Sequence, residues 1–318
     1  MSGAPAKAAE KAAVLPPRAA RLLDAIGQTP LLELSRIAAD VPGLTLFAKA
    51  EHLNPGGSVK DRPARAMLLD GLASGRLVRG RAILEATSGN TGIADAMLGA
   101  ALGFPVTLCL PANASPERQG ILRALGAELV LTDPLEGTDG AIQKARRLVA
   151  ARPDAYFYPD QYSNPANWHA HFETTGPEIL GQAGEGLTHF VAGLGTTGTF
   201  LGVTRYLKDR APHVVCVAME PDGPLHGLEG MKHLASAIVP LIWDPTLADR
   251  RLTIATEEAY AMCRRLAREE GLFVGPSSGA NVAAALRVGR EAGPGATVAT
   301  ILCDGGGRYL SRPFWSAR

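Results

Sequence analysis

Ala82-Ile83-Leu84-Glu85-Ala86-Thr87-Ser88-Gly89-Asn90-Thr91-Gly92 passes from a largely apolar run into a cluster of hydroxyls, glycines and an amide, and then into an apolar helical stretch. Strand, Gly-rich turn, helix is the unit from which parallel α/β sheets are built. Small polar residues and glycines at a helix start leave backbone N–H groups open to an anion, and a carboxylate suits this turn. Capping alone would account for Thr87 or Ser88. It would not account for five small polar or glycine residues in succession.

The alternation extends in both directions. Strands are predicted at Leu31–Leu34, Leu44–Ala50, Ala82–Ala86, Val106–Leu110, Glu128–Thr132, Thr188–Ala192, Val214–Met219 and Thr297–Cys303. Helical spacing fills Pro116–Leu125, Thr138–Ala151, Thr199–Lys208, Thr256–Glu270 and Ala280–Val288. Such a chain forms parallel sheet, and ligands on parallel sheet sit beyond the carboxyl ends of the strands. The turns that leave strands are therefore where chemistry is expected.

Three further turns carry it. In Asn54-Pro55-Gly56-Gly57-Ser58-Val59-Lys60-Asp61-Arg62, Ser58 is a good N-cap for a helix beginning near Val59. Lys60 then falls in the first helical turn, where the macrodipole lowers an ammonium's pKa, as a Schiff-base lysine requires. From this turn alone, an ordinary exposed lysine beside a helix start is the better reading. Gly193-Leu194-Gly195-Thr196-Thr197-Gly198-Thr199 matches the GxGxxG dinucleotide fingerprint, with Glu220 at the end of the next strand. Its two threonines add hydroxyls that suit a terminal phosphate better than a pyrophosphate. Gly275-Pro276-Ser277-Ser278-Gly279-Ala280 places a serine where it caps a helix or meets a ring nitrogen.

Composition sets the outer bounds. The 318 residues suggest about two domains, and 46% hydrophobic content supplies a sizeable core. Thirty-two Lys and Arg against 31 Asp and Glu leave a net charge of +1, which gives no reason to expect a nucleic-acid or membrane partner. The cysteines at 109, 216, 263 and 303 are far apart, so neither a disulfide framework nor a zinc site is expected, and a cytoplasmic location fits. The first 18 residues read as a mobile tail with no secretory signal. The most apolar stretch, Ile93–Leu110, is too interrupted by Asp95, Gly99, Gly103 and Pro105 to span a bilayer.

Taken together, the four turns resemble the cysteine synthase family of fold-type II pyridoxal-phosphate enzymes. NPGGSVKDR is similar to the family's lysine motif, ATSGNTG to its substrate loop, GTTGT to its phosphate loop and SSGA to its pyridine-nitrogen turn. Ile26–Leu31, Asp160–Asn167 and Thr174–Ile179 also match, so the resemblance runs from about Leu23 to Leu310. It implies a tryptophan synthase β-like fold of two doubly wound α/β domains with pyridoxal 5'-phosphate between them. The division implied is a tail and lead-in over 1–27, a small domain over 54–163, and a large domain over 28–53 plus 164–318. Lys60 would hold the cofactor covalently and shuttle the Cα proton. Asn90 would bond its 3' oxygen, Gly195, Thr196, Thr197, Gly198 and Thr199 its phosphate, and Ser277 its pyridine nitrogen. A neutral hydroxyl at Ser277 implies a weaker electron sink, which favours β-elimination. Thr87, Ser88, Gly89, Thr91 and Gln161 would bind the substrate carboxylate.

The implied reaction is β-replacement of O-acetyl-L-serine by sulfide or thiosulfate through an α-aminoacrylate, with the substrate loop closing to exclude water. Alternatives are an O-phosphoserine sulfhydrylase and a minimal cystathionine β-synthase, although the chain shows neither a haem segment nor room for a regulatory domain. A more remote one is a nicotinamide-dependent oxidoreductase using GLGTTG, which leaves Lys60 and Asn90 without a role. A non-catalytic paralogue that binds a partner enzyme is disfavoured by the intact Lys60, Asn90 and Ser277. A homodimer is the family norm, and serine acetyltransferase is a possible partner.

Asp160-Gln161 and Trp168-His169-Ala170-His171 look closer to the cysteine synthase B branch. His169 and His171 are two apart and point to different helix faces, so no metal site is expected there. The segment Glu220–Lys232 is expected to face the active-site mouth. Asp222 there would repel a phosphate leaving group, which favours O-acetylserine, although Lys232, His226 or His233 could compensate. Asp95, where relatives usually carry apolar residues, reads as part of a solvated helix face.

Overall fold

The computed structural model describes residues 22–87 and 89–316. The expected tail up to residue 21, and Ser88 of the substrate loop, lie outside the described residues. Chain order is β1 (Leu31–Glu33), α1 (Ser35–Ala38), β2 (Thr45–Ala50), α2 (Asp61–Ala73), β3 (Ala82–Ala86), α3 (Asn90–Leu102), β4 (Val106–Pro111), α4 (Pro116–Ala124) and β5 (Glu128–Thr132). Then come α5 (Gly137–Ala151), β6 (Tyr156–Phe157), α6 (Ala166–Ala170), α7 (Gly176–Ala183), β7 (His189–Gly193), α8 (Gly198–Arg210), β8 (Val215–Pro221), β9 (Arg250–Ile254), α9 (Thr256–Arg265), α10 (Pro276–Ala292) and β10 (Thr297–Leu302).

Two sheets form. One has six strands in the order β1-β2-β10-β7-β8-β9, and the other has four in the order β5-β4-β3-β6. All pairings are parallel except β1 with β2, which departs from the all-parallel expectation. The last strand, β10, inserts between β2 and β7, so the exits of strands far apart in sequence become neighbours. Each sheet is covered on both faces. Leu46, Val217, Val282 and Leu286 belong to one core of the six-stranded sheet, and Phe190, Phe200, Leu201 and Ile301 to the other. Ile83, Leu98 and Leu108 belong to one core of the four-stranded sheet, and Leu84, Cys109 and Ile142 to the other. No helix among the described residues is long and apolar enough to cross a membrane.

Three local expectations are corrected. The helix after the lysine turn begins at Asp61 rather than Val59, and Lys60 occupies its N-cap position. Ser58 instead forms an antiparallel bridge with Asp304, and Val59 N donates to Cys303 O at 2.8 Å. The lysine turn is thereby stitched to the end of β10. Strands β6 and β9 were not expected: β6 is two residues long, and β9 is an edge strand whose Arg-Arg-Leu-Thr-Ile lacks an apolar run. The helix predicted over Thr256–Glu270 closes as α at Arg265 and finishes in a wider π turn over Leu266–Glu270.

The flanking motifs hold a buried ion network. Arg62 bonds Glu51 through Nε (2.7 Å) and Nη2 (2.7 Å), and Glu178 through Nη1 (2.6 Å) and Nη2 (2.7 Å). Lys49 adds a 2.6 Å pair to Glu178, and Thr29 Oγ1 donates to Glu51 at 2.7 Å. Asn54 accepts from Gly27 N at 2.8 Å and donates to Glu51 Oε2 at 2.9 Å. The lead-in, β2, the lysine turn, α2 and α7 are thus tied by fork-like charged bonds, whose planar geometry fixes position as well as energy.

Candidate active site

The cavity lies beyond the carboxyl ends of strands from both sheets. Its lining includes Val59 and Lys60 after β2, Thr87, Asn90 and Thr91 after β3, and Gln161 and Tyr162 after β6. Ala192 and Gly193 at the end of β7, Gly195, Thr196 and Thr199 after it, and Ile301 and Cys303 at the end of β10 complete that rim, with Ser277 and Asn281 from α10. Of the sequence-predicted residues, Lys60, Thr87, Asn90, Thr91, Gln161, Gly195, Thr196, Thr199 and Ser277 line one space. Gly89, Thr197 and Gly198 stand behind it as the N-caps and first turn of α3 and α8.

Lys60 keeps partial access to the cavity and is otherwise enclosed by protein. Burial drives its pKa below that of an ordinary lysine, and the nearby Cys303 and Asp304 push back weakly. Desolvation, rather than the helix macrodipole, is therefore the leading cause. Burial also pushes the Cys303 thiol up to about 11, so it is a neutral neighbour.

The Thr87–Thr91 loop is cross-linked to the β6 exit. Thr91 Oγ1 donates to Gln161 Oε1 at 2.7 Å, and Gln161 Nε2 donates to Ala86 O at 2.7 Å. Thr87 Oγ1 accepts from Gly89 N at 2.9 Å. These contacts exist because β3 and β6 pair directly, Ile83 opposite Phe157, so the two strand exits lie side by side. Asn90 donates through Nδ2 to Asp304 Oδ2 at 2.7 Å, and its oxygen accepts from Arg308.

The Gly195–Thr199 turn suits a phosphate. It opens α8, whose first N–H groups and macrodipole favour an anion. A Cβ on Gly195 would overlap the Gly230 carbonyl, and one on Gly198 would overlap the Asn167 side chain, so only glycine allows these approaches. Thr197 adopts φ +71°, a left-handed conformation that non-glycine residues seldom take, and its buried hydroxyl has no partner within the protein. An orphaned hydroxyl at the helix start behind the cavity, a lysine held toward neutrality and Ser277 in the lining together fit pyridoxal phosphate.

Several contributors escaped the sequence reading. Asn281 accepts from Gly193 N at 2.8 Å and donates to Ile301 O at 2.9 Å, bracing the phosphate turn from α10. His171 contacts Thr175 Oγ1 at 2.8 Å and Thr199 Oγ1 at 3.2 Å, and burial holds its pKa well below the usual range, so it is neutral. Asp304, fully buried, accepts from Asn90 and from Tyr309 Oη at 2.7 Å. Its signal was present as a fifth Gly-rich strand exit, Cys303-Asp304-Gly305-Gly306-Gly307.

Two expectations about charge are corrected. Asp222 is exposed and lines neither this cavity nor the outer cleft that adjoins it. The carboxylate at the mouth is Glu229, gripped by Arg118 and Arg312. Asp95 is wholly buried rather than solvated, and neither of its carboxyl oxygens has a partner.

Comparison with known proteins agrees with the site. A family model described as "Pyridoxal-phosphate dependent enzyme" matches residues 22–304. The chain is 49% identical over 300 residues to the cysteine synthase of Aquifex aeolicus (strain VF5), covering 93% of this chain and 92% of that protein. It is 43% identical over 298 residues to cysteine synthase B of Pseudomonas aeruginosa, covering 93% and 98%. The crystal structure of an O-acetylserine dependent cystathionine β-synthase from Helicobacter pylori superposes with a TM-score of 0.88 at 37% identity, covering 94% of this chain and 99% of that one.

Proposed function

The chain belongs to the pyridoxal-phosphate-dependent enzymes as a cysteine synthase, and from that premise we propose that it converts O-acetyl-L-serine and sulfide to L-cysteine and acetate, with thiosulfate as a second sulfur donor giving S-sulfocysteine. The observation that carries this reading is Lys60, desolvated and facing in one cavity both a carboxylate loop and a phosphate turn.

Bound pyridoxal phosphate supplies an electron-withdrawing ring that stabilises negative charge at the substrate Cα. In this reading Lys60 holds it through Nζ, with Asn90, Ser277 and the Gly195–Thr199 turn as the remaining contacts. Thr87, Gly89, Thr91 and Gln161 orient the substrate carboxylate, so the Cα–H faces Lys60. Lys60 Nζ takes that proton and later returns it, which requires the neutral amine that burial favours. The neutral Ser277 hydroxyl places no negative charge against the ring, so charge at Cα is relieved by loss of the Cβ leaving group. Residues 54–163 form the substrate-loop unit of this reading, and 28–53 plus 164–318 the phosphate-binding unit. A homodimer, and docking of a serine acetyltransferase, belong to it as well.

A second reading, O-phospho-L-serine as donor, is favoured by His226, Lys232, His233 and Arg312 around the outer cleft. Lys232 is held there by Asp139 at 2.6 Å. The deciding experiment mixes holoenzyme with sulfide, thiosulfate or homocysteine and one of O-acetyl-L-serine, O-phospho-L-serine and L-serine, and follows visible absorbance and release of the sulfur-containing amino acid. Turnover with O-acetyl-L-serine alone supports the proposal, and turnover with O-phospho-L-serine alone replaces it by the second reading. A response to L-serine that needs homocysteine would make the chain a cystathionine β-synthase.

A further inference from the structure

Glu85 and Asp95 form a pair of wholly buried acids directly behind the carboxylate loop. Glu85, on β3, accepts from Ala86 N at 2.8 Å and from Gln161 N at 3.2 Å. It therefore holds the backbone of the residue that clasps Thr91. Asp95 lies four residues after Thr91 on α3, about 6 Å along the helix axis. Both of its oxygens are buried and receive no hydrogen bond. The acids divide by environment: Glu85 has two N–H donors for a charge, and Asp95 has none.

Little nearby offsets a charge on Asp95. Glu85 faces it from β3, and its field reaches Cys109 on β4 and Tyr158 and Tyr162 around the β6 exit. Asp160, in the same exit, adds a further like charge beside Glu85, and the Arg146 guanidinium stands 4.0 Å from Asp160 rather than from the pair. Helices α2 and α4 also pack on α3, yet no described side chain from either bonds Asp95. Burial raises the pKa of both acids well above the usual carboxylate range, and a charge on Asp95 raises that of Glu85 further.

We propose that Asp95 is a positioning residue that links substrate affinity to proton concentration: as a neutral acid it leaves the Thr87–Thr91 loop free to take a carboxylate, and as a carboxylate it repels one. The geometry supplies the reason. The open N–H groups and macrodipole of α3 favour an anion at Thr91, and a second anion one turn inside the helix opposes that field. Because Asp95 shares α3 with Thr91 and does not line the cavity that holds Lys60, the effect falls on substrate binding rather than on proton transfer at Lys60.

This inference rests on the proposed function for its substrate, and the test separates the two. Steady-state kinetics of holoenzyme with O-acetyl-L-serine and sulfide are measured across neutral to alkaline pH for the native chain, Asp95→Asn and Asp95→Leu. The ratio of native to Asp95→Asn KM is expected to rise by about tenfold as Asp95 ionises, with the kcat ratio nearly flat. Parallel KM profiles would overturn the proposal. If neither variant folds, infrared spectroscopy of the native holoenzyme and of Glu85→Gln decides: a protonated-carboxyl band that persists in Glu85→Gln and fades over the pH range in which KM rises supports it, and the absence of any such band at neutral pH refutes it. If O-acetyl-L-serine is not turned over, the function fails first. L-alanine binding, read from cofactor absorbance over the same pH range, then tests the coupling alone, with the same tenfold divergence between native chain and Asp95→Asn expected and parallel affinities refuting it.

Discussion

Asn90 Nδ2 donates to Asp304 Oδ2 at 2.7 Å, joining the first residue of α3 to the turn after β10. Asn90 follows a strand of the four-stranded sheet and Asp304 a strand of the six-stranded sheet, so the bond spans the two sheets. Asp304 also receives Tyr309 Oη, bridges to Ser58, and lies 3.7 Å from Arg118 Nη2. One residue thus ties three segments: its backbone bridges the lysine turn, and its buried carboxyl holds Asn90 and the C-terminal segment.

Replacing that carboxyl tests the arrangement. Asp304→Ala leaves Asn90 and Tyr309 without an acceptor and Arg118 with one less counter-charge. At about 1.5–3 kcal/mol for charge-assisted bonds, kcat/KM should fall by about ten- to a hundredfold. Steady-state kinetics beside a thermal melt check this; unchanged kinetics would remove Asp304 from the site's support.

Gly195→Ala tests the phosphate turn. Its methyl would meet the Gly230 carbonyl, a backbone atom that cannot swing away. Displacing one strand exit should cost about 1–3 kcal/mol. Cofactor affinity, read from visible absorbance during dialysis, should weaken by about tenfold or more while far-UV circular dichroism stays native.

Arg62→Met breaks the buried network at its centre. Glu51 and Glu178 would face each other without the guanidinium, a loss of about 3–5 kcal/mol in urea unfolding. The triple variant Arg62→Met, Glu51→Gln, Glu178→Gln should recover part of that loss, because the penalty comes mostly from the stranded charges.

Acid stability should reflect Glu178. Burial opposes its ionisation, but Arg62 and Lys49 prevail and lower its pKa to about 2. A folded-state value below the unfolded one stabilises the native chain fully above about pH 4.5, and the gain is lost as pH falls toward 2. Discounted for its partial exposure, the contribution is about 2–3 kcal/mol. Glu178→Gln should therefore show a shallower decline in stability over that window, measured by urea titration at stepped pH.

Much of the site was legible from residue order because each element of it is local. A strand followed by glycines and hydroxyls at a helix start carries its anion-binding chemistry within about eight residues, and the Lys60, Thr87–Thr91, Gly195–Thr199 and Ser277 turns do converge on one cavity. Alternating apolar runs and helical spacing likewise announced the α/β layers. What order alone could not supply were relations between distant residues. The pairing of two-residue β6 with β3 puts Gln161 on Thr91, and the insertion of β10 between β2 and β7 brings Asp304 to Ser58 and Asn90. Asp95 shows the same limit in reverse. Its place on α3 was evident, but whether that face met water depended on the strands β3 and β4 and the helices α2 and α4 that pack on α3. Local propensity is written in neighbouring residues, whereas burial, and with it the charge state of Lys60, Asp95 and Glu178, is decided by chain segments that meet only in the folded state.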